Sequence, residues 1–538
     1  MRSSLEIGRR FGRNVSRALR RSMVGLPDAG FWLDLEIDAG LSEVARPQLA
    51  LEPVPGLLEV LQTLGHAQGD PAVVGVLVRL SGTPEGWSKI QSLRRALENL
   101  VSRGIPVVVY AEQLDAESLL LASVATRLYL AETGRVFLVG LRADTFYLKG
   151  LLDQLDVRPE VVRIGTHKTA GESLVREQMS TEQREQVEAL LEDRWVTLVG
   201  AIAKGRGLGE AAVRDRIDRG PYSGKAAIEA GLVDDCLYPD ALEERLQTLT
   251  RRSGSHAPSD VELVDARIYY TARVGAAYEP LLHPGPRIAY VLAEGAIRRG
   301  EDSRGIGSES LGSLLEGLRT DPRVHGVVLR VDSPGGDALA SDLLWRILTR
   351  IRDEKPLVAS MGEVAASGGY YLACAADHIL AEACGVTGSI GVISGKLDVA
   401  GLYKRLGIGR DAVERGARAG LLSETRGFTE DELGALRAEM SELYAAFVDR
   451  VSQGRGLTPE AVDAVAGGRV WSGLRAHSHG LVDELGGPLE ALAAVRRLAG
   501  ITAGESVDLD LHPRQPRVPG LRALLAVGGG VTVSRVVP

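Results

Sequence analysis

Ser367 lies in the run Ala365-Ala366-Ser367-Gly368-Gly369-Tyr370-Tyr371, after a strand-like segment and before an apolar helical one. A serine at a tight strand-to-helix turn is exposed as a nucleophile, and the N–H that follows it can help hold an oxyanion. Upstream, Asp332-Ser333-Pro334-Gly335-Gly336 closes another strand ahead of a helix, and its glycines let backbone N–H groups face a cleft. The two motifs together supply two donors for one tetrahedral intermediate, which is acyl-transfer chemistry. Taken singly, each is weak, because a serine before glycines is more often a turn or a helix cap. Their order within one βαβ unit is what gives them weight.

A serine nucleophile needs a base. His378 follows eleven residues later but leads into the apolar run Ile379-Leu380, which suits a surface position at a strand start, and His477 and His479 belong to an amphipathic segment. Lysine remains, and the candidate is Lys168 in Arg163-Ile164-Gly165-Thr166-His167-Lys168-Thr169-Ala170. A lysine with its ordinary pKa of about 10.4 is protonated at neutral pH, so burial must lower that pKa by about 3, at a cost of about 4 kcal/mol, before it can act as a base. His167 beside it is read as a wall residue whose imidazolium would depress the lysine further.

The choice of Lys168 rests on an internal repeat. Gly75–Gly82 falls on Gly326–Ser333, Ala111–Ala122 on Gly362–Ala373, Gly205–Leu208 on Gly454–Leu457, and Gly231–Asp234 on Gly480–Asp483. A period of about 250 residues denotes duplicated domains, since solenoid repeats run only about 20–50 residues. Across this repeat Ser367 falls on Ala116 and Lys168 falls on Ala419. Each copy keeps one half of a site that the other copy lacks.

The elements that must position these residues alternate in βαβ order. Short β-branched runs (Val73–Leu80, Val107–Tyr110, Val324–Val331, Leu357–Met361) alternate with amphipathic segments (Lys89–Leu100, Ser341–Arg352), which predicts parallel sheets covered by helices. Thr181–Lys204 and Thr429–Gly454 read as long helices that project from or brace each unit, the first with a capped start after Ser180.

Composition narrows the function classes. At 538 residues with 45% apolar and 25% charged residues the chain reads as a globular protein with more than one core. A net charge of −8 offers no footprint for nucleic acid. Cys236, Cys374 and Cys384 are odd in number and form no CxxC, so neither a disulfide framework nor a structural zinc site is signalled, and Cys374 and Cys384 read as packing residues. Residues 1–25 carry seven arginines, with Ile7, Phe11, Val15, Leu19 and Met23 at helical spacing. That segment suits peripheral contact with an anionic membrane or a solvated arm, but it is not apolar enough to span a bilayer or to serve as a signal peptide.

The chain resembles the long, duplicated signal peptide peptidases of peptidase family S49, in the ClpP/crotonase-like superfamily. The motifs that carry the likeness are Asp332-Ser333-Pro334-Gly335-Gly336, Ala365-Ala366-Ser367-Gly368-Gly369-Tyr370, Thr387-Gly388-Ser389-Ile390-Gly391 and Gly165-Thr166-His167-Lys168. The resemblance implies an α/β fold of two tandem ClpP/crotonase-like βαβ spiral domains with projecting helices. The chain then divides into a basic amphipathic segment (1–29), a repeat supplying lysine (30–250), a linker (251–285), a repeat supplying serine (286–500) and a tail (501–538). It further implies Ser367 as nucleophile, Lys168 from the other domain as general base, Ser389 orienting the lysine, and an oxyanion hole at Gly368 and Gly336. Neither a cofactor nor a metal is implied; the substrates are cleaved signal peptides or other short hydrophobic peptides, and the assembly is a homotetramer. Relatives of the long form carry a membrane-spanning N-terminal segment that this sequence does not show. Two other classes stay open: a crotonase-like acyl-CoA enzyme, which needs no Ser/Lys pair, and a non-catalytic scaffold.

Overall fold

The computed structural model describes residues 15, 25–27, 30–45, 55–252, 261–274, 285–302, 305–502 and 505–513. The basic segment predicted over 1–29 therefore falls outside them apart from Val15 and residues 25–27, as does most of the 501–538 tail. Among the described residues no helix is long and apolar enough to cross a membrane. They form two compact units. One takes the residues up to Gly140, those of Val196–Ala289 and those from Ile501 onward; the other takes Leu141–Trp195 and Tyr290–Gly500.

In the first unit the chain runs β1 (Phe31–Ile37), α1 (Leu57–Ala67), β2 (Val73–Leu80), α2 (Trp87–Ser102), β3 (Val107–Asp115), α3 (Ala116–Ala122) and β4 (Arg127–Phe137). The four strands pair in parallel in chain order. A parallel sheet is covered on both faces and so selects near-continuous apolar strands, as in Val76-Leu77-Val78 and Val107-Val108-Val109, all fully buried. A further strand, Leu263–Asp265, joins the edge of β1 in parallel with Leu263 opposite Trp32. Part of the segment expected to be a linker thus belongs to this sheet, and Tyr269 just beyond it is fully buried. The run richest in Ser, Gly and Pro, Arg251–Asp260, lies before this strand.

The second unit contains β5 (Arg158–Ile164), α4 (Thr181–Arg206, of which residues to Trp195 belong here), β6 (Val324–Ser333), α5 (Ala338–Glu354), β7 (Leu357–Ala366), α6 (Gly368–Ala373), β8 (His378–Ala381), β9 (Val386–Gly388), β10 (Val392–Asp398), α7 (Glu430–Arg455) and β11 (Val470–Ser472). β6 pairs in parallel with β7, and β7 pairs in parallel with β8 along its first half and with β9 along its second. β11 runs antiparallel to β9. The ends of β7 and β9 therefore lie side by side, which brings the turns after Ala366 and after Gly388 together. The two long helices form as expected: the Ser180 hydroxyl accepts from the Gln183 N–H at the start of α4 (3.1 Å), and Thr429 and Glu432 form a reciprocal cap on α7.

β5 and β10 make a separate antiparallel ribbon, with Ile164 opposite Val392 and Arg158 opposite Asp398. Through this pairing a stretch of the first repeat packs with the second. Repeat and compact unit are thus different divisions of the chain, and Lys168, expected to reach Ser367 from a separate domain, stands with it in one compact unit. The fold is α/β with two mostly parallel sheets.

Candidate active site

Ser367 occupies the turn between β7 and α6 with φ 55° and ψ −119°. For a residue with a side chain this conformation costs on the order of 1–3 kcal/mol and must be held by its surroundings. The Ser367 N–H donates to the Gly388 carbonyl (2.8 Å), and its carbonyl accepts from the Tyr371 N–H (2.9 Å). Every residue of α6 is buried, and its two tyrosines are tied down: Tyr370 donates to the Leu481 carbonyl (2.9 Å) and Tyr371 to Asp342 (2.7 Å). The first repeat shows what the turn becomes without the serine. There Ala116 is the first residue of α3, and Asp115 caps it by accepting from the Ser118 N–H (2.8 Å), an ordinary helix start.

The other glycine motif meets this turn. Gly335 has φ +100°, and a Cβ on it would lie 2.7 Å from both the Ser367 Cβ and the Gly368 nitrogen. Only glycine allows that approach. The Ile297 N–H donates to the Gly335 carbonyl and the Asp337 N–H donates to the Ile297 carbonyl, both at 2.9 Å, so the Gly336 N–H faces away from Ile297. Among the described residues neither the Gly336 nor the Gly368 N–H has a hydrogen-bond partner. Two unspent donors beside a serine are what a developing oxyanion requires.

Lys168 follows the ribbon strand β5 by a short turn and is 4% exposed. Its Nζ lies 3.1 Å from Ser367 Oγ, 2.9 Å from Ser389 Oγ and 2.8 Å from the Ser389 carbonyl oxygen. Burial, with no carboxylate to offset it, lowers the amine from 10.5 to about 8. The partners dictate where a neutral amine points its lone pair. A carbonyl only accepts, so one N–H stays on the Ser389 carbonyl, and the lone pair must face a hydroxyl. Ser389 takes the second N–H when its Oγ accepts, leaving the lone pair for the proton of Ser367. Ser389 itself sits at φ 53°, a second left-handed non-glycine residue at the end of a strand.

The turn carrying Lys168 is gripped from the second repeat by residues that sequence reasoning did not single out. The His167 N–H donates to the Gly467 carbonyl (2.9 Å), and a Cβ at Gly468, where φ is +81°, would lie 2.5 Å from the Lys168 Cβ. The same loop supports the other partner, because the Ser389 N–H donates to the Arg469 carbonyl (2.7 Å). Arg163 donates to the Lys168 carbonyl (3.2 Å) and to the buried Glu172 (2.9 Å), and Gln186 of α4 reaches the His167 carbonyl (3.2 Å). One signal was present: Gly467-Gly468 falls on Asp218-Arg219 in the first repeat, the same one-sided pattern that marked Lys168.

Among the described residues, neither the His378 nor the His167 ring contacts the Lys168 amine. His378 is engaged by Glu484 (2.9 Å). His167 lies against Thr166 (3.0 Å) and Glu185 (3.8 Å), and burial is what lowers Lys168. The buried Cys374 thiol is pushed up to about 12 by desolvation, which makes it inert at neutral pH.

A sequence model described as Peptidase family S49 matches residues 99–252 and again 349–502. The chain belongs to peptidase family S49. The two matches carry the two repeats, so the S49 domain is present in tandem. The chain is similar to "Serine protease SPPA, chloroplastic" of Arabidopsis thaliana, at 32% identity over 84% of this chain and 67% of that protein. "Protease 4" of Salmonella typhi is 30% identical over 86% of this chain and 74% of its own length. A shorter relative, "Putative signal peptide peptidase SppA" of Enterococcus faecium, is 33% identical over 35% of this chain and 55% of its own. The protein is a serine protease of this family, which sets aside the acyl-CoA and scaffold alternatives.

Proposed function

We propose that the protein is an endopeptidase that cleaves short hydrophobic peptides, including spent signal peptides, through a Ser367/Lys168 dyad. The observation that carries this reading is the 3.1 Å contact between the Lys168 amine and Ser367 Oγ in a buried site. The neutral amine takes the Ser367 proton as Oγ attacks the scissile carbonyl, and the oxyanion that forms is held by the Gly368 and Gly336 N–H groups. The lysine, now an ammonium held by Ser389, returns the proton to the leaving amine. The acyl-enzyme remains on Ser367 until a water, deprotonated by Lys168, attacks the ester, and collapse of the second intermediate frees the acid and restores Ser367. No step calls for a metal or a cofactor.

The substrate class is supported by the motif resemblance and by the name of the Enterococcus faecium relative. The same resemblance supports a homotetramer, which sedimentation of the purified chain checks. The test of the dyad is hydrolysis of an internally quenched apolar peptide. Ser367→Ala and Lys168→Ala are each expected to lose at least about 10²–10⁴ in rate, with unchanged circular dichroism. Hydrolysis by Lys168→Ala at the wild-type rate would overturn the reading.

A further inference from the structure

We infer that Gln186 is the positioning residue of this site: its carboxamide sets where the Lys168 amine stands relative to Ser367. The inference rests on the dyad reading above.

Gln186 is 3% exposed and lies in the second turn of α4, in the same compact unit as Lys168 and Ser367. Its Nε2 donates to the His167 carbonyl (3.2 Å) and to the Glu182 carbonyl one turn back (3.1 Å), while its Oε1 accepts from the Val470 N–H (2.8 Å). These three bonds join the helix, the base turn and β11. The His167 carbonyl belongs to the peptide unit whose nitrogen is that of Lys168. The preceding peptide is fixed by the His167 N–H bond to Gly467, so Gln186 supplies the second point that stops the turn from rotating. On the other side, Val470 follows Arg469, whose carbonyl accepts from the Ser389 N–H. One side chain therefore ties the backbone of Lys168 to the backbone that locates Ser389, the partner of two of the three amine contacts.

The chemistry of the residue is specific. The position needs an NH2 that donates twice and an oxygen that accepts once, on the same planar group, buried, with no charge. Glutamate keeps the acceptor and loses the donor; methionine keeps the length and loses both, leaving the His167 carbonyl and the Val470 N–H unpaired. A loosened turn admits water to the amine, and a better-solvated lysine returns toward its ordinary pKa. The acid limb of the rate profile should then move upward, which a residue that merely stabilises the fold would not cause.

The experiment measures kcat, KM and the pH midpoint of kcat/KM for peptide hydrolysis by wild type, Gln186→Met and Gln186→Glu, with melting temperature as a check on folding. The inference expects Gln186→Met to lose at least tenfold in kcat with KM within twofold, and its midpoint to rise by half a pH unit or more. Gln186→Glu should fall between it and wild type in kcat, and it serves as the readout if Gln186→Met does not fold. A folded Gln186→Met with kcat within twofold and an unmoved midpoint would overturn the inference, as would losses in both variants that follow melting temperature alone. Lys168→Ala, run alongside, separates the two claims: if it hydrolyses as well as wild type, the dyad itself is at fault rather than its positioning.

Discussion

In the proposed dyad, Lys168 is the residue on which both activity and stability turn. Its amine is lowered to about 8 by burial, so kcat/KM should rise tenfold per pH unit below about 8 and level off above it. A profile flat from pH 6 to 9 would contradict a lysine base. Stability should move the other way on substitution. Below pH 8 the folded protein carries a buried ammonium and bears the full penalty, about 3 kcal/mol. Between pH 8 and 10.5 the folded amine is neutral while the unfolded one is still charged, so the penalty fades. Lys168→Met is thus expected to raise the melting temperature at pH 7, with a gain that shrinks as pH approaches 10.5, while abolishing activity. Ser389→Ala removes one of the amine's hydroxyl partners but leaves the carbonyl; a loss of about tenfold is expected, with Ser367 still reactive.

Among the elements, the turns carry the precision. Gly468→Ala would put a Cβ 2.5 Å from that of Lys168 at a left-handed φ. It should cost on the order of 1–3 kcal/mol in stability and at least tenfold in kcat, measurable by melting and by hydrolysis. The strands and helices were legible in the sequence because β-branched runs and amphipathic spacing report burial directly, as in Val73–Leu80 and Val324–Val331. Ser367 and Lys168 were legible because the repeat supplies a comparison at each position. Gln186 was not: its role comes from the meeting of α4, β11 and the base turn, which no local pattern encodes. The β5–β10 ribbon was hidden for the same reason, and with it the fact that Lys168 and Ser367 share a compact unit.

For the whole molecule, the duplication yields two large sheets among the described residues, and the proposed reactive groups gather in one compact unit. The first repeat gave its strand β5 and Lys168 to the second unit, and at its own turn Asp115 caps an ordinary helix. Restoring a serine there should therefore create nothing: Ala116→Ser is expected to leave the number of reactive sites at one per chain. The Ser367/Lys168 dyad is tested most directly by labelling with a fluorophosphonate, followed by peptide mapping, of wild type, Ser367→Ala and Lys168→Ala near pH 8. One adduct per wild-type chain, on Ser367, is expected, and none in either variant. An adduct on another residue, or full labelling of Ser367 in Lys168→Ala, would contradict it.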